Sequence, residues 1–249
     1  MLDSIPLATI LISYVAVLFS LSVHEASHAS VAYLLEDDTA ARLGRMTINP
    51  IAHIDLLGTV ILPLLGMVTG LRVLGWAKPV PVNPNQLTRR FTMRTGMAMV
   101  AGAGPASNLV LSFLFIPILG LVVRNLAEPS VRLGLFQAAM FLPVERFLRM
   151  GELSVGQVFT LTLLGRLVII NIGLAIFNLL PVGPLDGASI ARGFMPHRWV
   201  ATFDRIQPTI SIVLLGMFLF GAIGIILMPF WFVAEQFYLM PFARLILGV

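Results

Sequence analysis

Two histidines four residues apart, His24 and His28, with Glu25 beside the first, are the residues of this chain best suited to chemistry. On a helix, positions i and i+4 face the same way, so both imidazoles can point at one divalent metal while Glu25 faces an adjacent direction. Two neutral imidazoles and a carboxylate able to take a proton from a metal-activated water are what metal-dependent peptide hydrolysis requires. A catalytic zinc site, one ion per chain, also needs a third protein ligand and an open position. The chain has no cysteine, so the candidates are His53, Asp55, Asp186, His197 and the acidic run Glu36, Asp37 and Asp38. Asp186 is favoured locally, because it follows a helix end broken by Pro181, Gly183 and Pro184 that can aim a side chain back at the preceding element. The acidic run reads more simply as a solvated helix end, and His197 as an interfacial loop histidine.

The elements that must position these residues are membrane helices. Of 249 residues, 58% are apolar and only 11% charged, and the mean hydropathy is +0.95, which excludes an ordinary soluble domain. The net charge of +4 comes from basic residues spread over short loops between apolar runs. That distribution argues against a nucleic-acid partner and reads as a topology signal. Residues 1–23 lack the basic start of a secretory signal, so the first apolar run is retained. No internal repeat of the kind that builds transporters is present. The expectation is an all-α membrane protein, a polytopic helical bundle forming a single membrane-embedded domain over 1–249. Its core runs over about 5–205, followed by a C-terminal span and interfacial tail over 206–249.

The first span runs from Ile5 to Val23 and continues without a breaker through His24, Glu25 and His28 to Leu35. His24 then lies about 28 Å along that helix from Ile5, near the far boundary of a hydrocarbon core about 30 Å thick. Three ionisable groups at that depth cost several kcal/mol without a function, on the order of 3 kcal/mol each at a helix centre. The bland alternative is a polar helix end just outside the bilayer. Residues 56–75 are apolar but interrupted by Gly58, Pro63, Gly66 and Gly70, and Pro79, Pro81 and Pro84 keep the stretch that follows out of a helix. A re-entrant or extended hairpin-like segment around 56–90 is therefore expected. Further spans are expected over 95–123, 157–180 and 207–228, with an interfacial or re-entrant piece at 133–144. The apolar tail from 229 reads as an interfacial helix or one more crossing.

Arg42, Arg45, Lys78, Arg89, Arg90, Arg94, Arg192, Arg198 and Arg205 fall in loops 36–55, 76–94 and 181–206, against four arginines in 124–152. That bias puts the first set on the cytoplasmic side and makes 56–75 dip in and return. The expected setting is a multi-pass protein of a prokaryotic cell membrane with the site nearer the cytoplasmic face.

At these residues the chain resembles the site-2 protease family of intramembrane zinc metalloproteases. His24-Glu25-Ala26-Ser27-His28 matches the family's first motif, Asn178-x-x-Pro181-x-x-x-Leu185-Asp186-Gly187 resembles its second, and Gly104-Pro105-x-x-Asn108 resembles a third feature. The resemblance implies that His24, His28 and Asp186 bind zinc and that Glu25 is the general base. It also implies that Asn178 and Asn108 help hold the substrate backbone or an oxyanion, and that Trp76 to Pro84 lines substrate access. A helix-packing hydrogen bond is the competing reading of Asn178. His53 and Asp55 are read either as support or gating around the metal or as a polar loop end. No segment has the length for an inserted PDZ domain or a CBS pair, so this is a compact form. The expected partners are a membrane-spanning protein substrate and the lipid bilayer, with a regulatory membrane partner or homo-oligomer left open. The competing functional readings are a metal transporter or sensor using the histidine pair as a transit site, and a scaffold that keeps the metal for stability.

Overall fold

The computed structural model describes residues 7–69 and 75–248. The expected helix start at Ile5, positions 70–74 of the apolar 56–75 segment, and Val249 lie outside the described residues. Helices α1 (Leu7–Leu34), α2 (Thr39–Arg42), α3 (Pro50–His53), α4 (Leu62–Thr69), α5 (Met93–Leu126) and α6 (Arg132–Phe141) make up the first part of the chain. They are followed by α7 (Val144–Met150), α8 (Val155–Asn178), α9 (Asp186–Phe194), α10 (His197–Leu219), α11 (Ile223–Ala234) and α12 (Met240–Leu247). No strand forms among the described residues.

Four helical stretches are long and apolar enough to cross a membrane: Leu7–Leu34, Met93–Leu126, Val155–Asn178 and Ile223–Leu247. The expected all-α membrane architecture is borne out, with α1 running unbroken through the histidine pair. The last crossing differs from the expected 207–228. Helix α10 stops at Leu219, Gly221 takes a left-handed φ of 76°, and the candidate crossing begins at Ile223. Phe218, Leu219, Phe220 and Ala222 are as apolar as what surrounds them, so hydropathy alone gave no boundary there.

The framework divides into two compact units whose boundaries fall inside α1, α5, α8 and α11. One comprises the chain up to Ser20, Asn108–Gly173 and the part from Trp231 onward. Its apolar core gathers Ile12, Val144, Phe147 and Val158. Glu145 caps the first turn of α1, accepting bonds from the Ala8 and Thr9 amides and, at 2.7 Å, from the Thr9 hydroxyl. In the same unit the Asn108 amide donates to Asn171 Oδ1 at 2.8 Å, and Asn171 donates to Ser20 Oγ at 2.8 Å and to its own helix at Leu167. All three side chains are fully buried. Hydrocarbon offers no hydrophobic drive between helices, so such bonds hold α1, α5 and α8 together at about 0.6–2 kcal/mol each. Arg166, a charge within a span with no role legible in the sequence, donates to the Met140 and Leu142 carbonyls at 2.6 and 3.2 Å. It caps the C-terminus of α6, where unpaired carbonyls and the negative end of the helix dipole favour a cation.

The second unit comprises Leu21–Ser107 and Leu174–Phe230. Ala32, Leu35, Leu87 and Val100 form its buried cluster. Leu56–Gly66, shorter than a span, opens as a π-helical turn over Leu56–Ile61 and passes into α4. After the segment at 70–74 the chain is non-helical through 75–83. It is pinned by the Thr59 hydroxyl to the Trp76 carbonyl, the Lys78 amide to the His53 carbonyl, and Arg45 to the Lys78 carbonyl.

Candidate active site

In the second unit α1 presents His24 and His28 inward, 4% and 8% exposed. Their rings meet edge to face with centroids 4.6 Å apart, and the two Nε2 atoms lie 3.0 Å from each other. His28 Nδ1 lies 2.8 Å from the Val100 carbonyl oxygen on α5. A carbonyl can only accept, so Nδ1 carries the proton and Nε2 presents its lone pair to the centre of the site.

Asp186 arrives from the far end of the chain as the first residue of α9. Its carboxylate oxygens lie 3.2 Å from His24 Nε2 and 3.4 Å from His28 Nε2. The turn before it is anchored by α10: Gln207 Oε1 accepts the Gly183 amide at 2.7 Å and Gln207 Nε2 donates to the Pro181 carbonyl. Gly187 has no room for a Cβ, which would collide with the carbonyl oxygens of Leu179 and Leu180. Only glycine lets α9 start this close to the end of α8.

One ligand atom from each of His24, His28 and Asp186 lies within 4.8 Å of the others, a set that can hold a metal ion. The donor chemistry fits zinc: two imidazole nitrogens, that of His28 with its lone pair fixed by Val100, and one carboxylate, with no thiolate needed. Gly104 completes the fit on the α5 side, because a Cβ there would lie 2.5 Å from both His24 Cε1 and His28 Nε2.

Glu25 is not part of this cluster. Its Oε2 accepts the Val80 amide at 2.9 Å, and both residues line a cavity of about 520 Å³ that includes the three metal-ligating candidates, Trp76, Phe177 and Asn178. Asn178 donates to its own helix at Leu174, 3.0 Å away, and faces the cavity as well. Asn108 does not line the cavity; its side chain is engaged by Asn171. His53 and Asp55 do not line it either. His53 is buried with Nε2 on the Thr47 carbonyl at 2.7 Å, and Asp55 caps the turn after it through the Leu57 and Gly58 amides. His197 opens α10 beside Arg94.

The acidic run corrects a sequence expectation. Asp38 pairs with Arg42 on the surface, but Asp37 is fully buried and accepts the Asn83 amide at 2.7 Å. It is not a solvated helix end. Val80, Gly104, Val100 and Arg45 were not picked out for the roles they have here. Only Val80 carried a local signal, as the single amide donor between Pro79 and Pro81.

A histidine pair on a helix of membrane-spanning length, with an aspartate from the start of α9 brought to the same point, makes a candidate metal site in a membrane protein, and comparison with known proteins gives its class, a metalloprotease. The profile of peptidase family M50, the site-2 protease family, matches residues 12–221, and the chain belongs to this family. It is similar to a Bacillus subtilis (strain 168) protein named "Putative zinc metalloprotease YwhC", 33% identical over 215 residues, which is 86% of this chain and 82% of that one. No solved structure matches the chain.

Proposed function

We propose that the chain is an intramembrane zinc endopeptidase, one membrane-embedded domain that hydrolyses peptide bonds of membrane-spanning proteins within or near the bilayer. The observation that carries this reading is the convergence of His24, His28 and Asp186 on one point, with Glu25 beside them in the same cavity. Zinc held by those three side chains would polarise the scissile carbonyl and acidify a water towards neutral pH. Glu25 takes the proton from that water and returns it to the leaving amine. Val100 keeps the His28 tautomer, and Asn178 retains one amide hydrogen for the substrate backbone or oxyanion. Asn108, committed to Asn171, is given no part in substrate binding.

A helical substrate shields its peptide bonds with its own hydrogen bonds and must be unwound. The non-helical 75–83 segment, with Trp76, Val80 and Val82 on the cavity wall, favours an extended substrate laid beside it. The Lys and Arg distribution supports a site nearer the cytoplasmic face, in a membrane read here as a prokaryotic cell membrane.

The test is incubation of the purified protein with a panel of single-span substrates, with and without a zinc chelator. Cleavage that chelation abolishes and zinc restores is the expected result. No cleavage of any substrate, together with zinc movement across protein-containing vesicles, overturns the reading in favour of a transporter.

A further inference from the structure

We propose that the backbone N–H of Val80 is the group that aims the Glu25 carboxylate, and that Arg45 and Asp37 act as positioning residues by fixing the segment that carries it. This rests on the protease reading of the same site. Glu25 Oε2 accepts the Val80 amide at 2.9 Å, and no other hydrogen bond reaches this carboxylate among the described residues. One oxygen is held and the other is left to take a proton. A carboxylate on an α1 side chain has three torsions to fix, and a single charge-assisted bond to a rigid donor removes most of that freedom.

The donor is rigid because the segment is held independently on both sides of Val80. Upstream, Arg45 Nη2 donates to the Lys78 carbonyl at 2.7 Å and reaches the Pro79 carbonyl at 3.4 Å, while the Lys78 amide donates to the His53 carbonyl at 2.9 Å. Downstream, buried Asp37 accepts the Asn83 amide at 2.7 Å. Asp37 is itself fixed by the Thr39 amide and hydroxyl. Pro79 and Pro81 stiffen the backbone on either side and carry no N–H of their own. Val80 is therefore the one donor between them, and it points at the general base. Arg45 and Asp37 are both buried, and each is bonded to the backbone of this segment.

The first test reads the bond and not the reaction. Amide-resolved hydrogen exchange of the zinc-loaded protein is compared with that of Glu25→Ala. Exchange at Val80 rises at least about tenfold, while exchange at Lys78, held by His53, stays within about threefold. An unchanged Val80 overturns the proposal, and so does an equal rise at both amides, because the segment would then depend on Glu25 for its order.

The second test reads the consequence. Val80→Pro removes the N–H in a stretch that its neighbours already hold extended. It is expected to keep one zinc per chain and to shift KM no further than Val80→Ala does, while kcat falls about ten- to a hundredfold. Val80→Ala, which keeps the N–H, moves KM and leaves kcat within about threefold. If Val80→Pro fails to fold, Arg45→Met decides the matter. It keeps the stem, loses both carbonyl contacts, and lowers kcat at least about tenfold with zinc retained, while Arg45→Lys restores part of the loss. Wild-type kcat in the folded variants, with wild-type cleavage abolished by Glu25→Gln, overturns this inference alone. Absence of cleavage by the wild type overturns the protease reading instead.

Discussion

His28 Nδ1 lies 2.8 Å from the carbonyl oxygen of Val100, so α5 determines which nitrogen of an α1 histidine faces Asp186. With the tautomer fixed from outside, three ligand atoms meet before any metal arrives. One zinc per chain is therefore expected by elemental analysis. His24→Ala, His28→Ala and Asp186→Ala should each weaken binding by more than the roughly 10- to 100-fold associated with losing a supporting partner. Full occupancy in Asp186→Ala would place the third ligand elsewhere.

Gly104→Ala is the smallest change that reaches both imidazoles. On an exposed helix position it would stabilise by about 0.8–1 kcal/mol. Here the new methyl lands 2.5 Å from His24 Cε1 and from His28 Nε2, and the rings must turn away. Zinc affinity should fall at least about tenfold with the helical circular dichroism unchanged. A fully loaded Gly104→Ala protein would show that α5 does not approach the histidines this closely.

What was legible in the sequence was what is local. His24, Glu25 and His28 share one helix turn, so their placement follows from periodicity alone, and three of the four long apolar helices follow from hydropathy. Asp186 could be favoured because prolines and glycines break the chain just before it. Asp37 could not be read, since its partner is the Asn83 amide 46 residues away, and an acid at a helix end looks solvated until that partner is placed. Arg166 was opaque for the same reason: its carbonyl partners belong to another helix. The turn at Gly221 was hidden because apolar residues flank it on both sides.

Glu145 makes the first unit sensitive to acid. Burial would push its carboxyl up, but the Thr9 hydroxyl and the Ala8 and Thr9 amides hold it below the usual range. A depressed folded-state pKa gives stability that is present above the unfolded value and lost as pH falls through the folded one. Thermal unfolding in detergent should therefore show a midpoint that drops below about pH 4. Glu145→Gln should lose on the order of 1 kcal/mol at neutral pH and flatten the acid dependence. An acid limb unchanged in Glu145→Gln would assign it to other carboxylates.

The topology of the segment over 56–75 can be read by labelling. Thr39 Oγ1 and Gln86 Oε1 are 3.1 Å apart, and Asp37 holds Asn83, so the chain before and after that segment meets on one side. In this cysteine-free chain, cysteines placed by Met46→Cys and Asn85→Cys should both react with an impermeant reagent from one side, the cytoplasmic one by the basic-residue bias. Labelling of the two from opposite sides would make the segment a true crossing.

Glu25→Gln separates a protease from a metal carrier or a structural metal site. The amide keeps the size of the side chain and still offers an oxygen to the Val80 N–H, so the 75–83 segment and the cavity wall stay in place. The three candidate ligands are untouched, and zinc should remain at one per chain. What disappears is the ability to accept a proton, and cleavage of a single-span substrate should fall at least about a hundredfold, the scale of a lost general base. A transit site would show unchanged zinc flux and no cleavage in either protein, because the carboxylate is not among the ligands. A structural site would show no change of any kind. Intact cleavage in Glu25→Gln would remove Glu25 from the chemistry and require another base in the same cavity, where Asp186, the remaining carboxylate on its wall, is already engaged by both imidazoles.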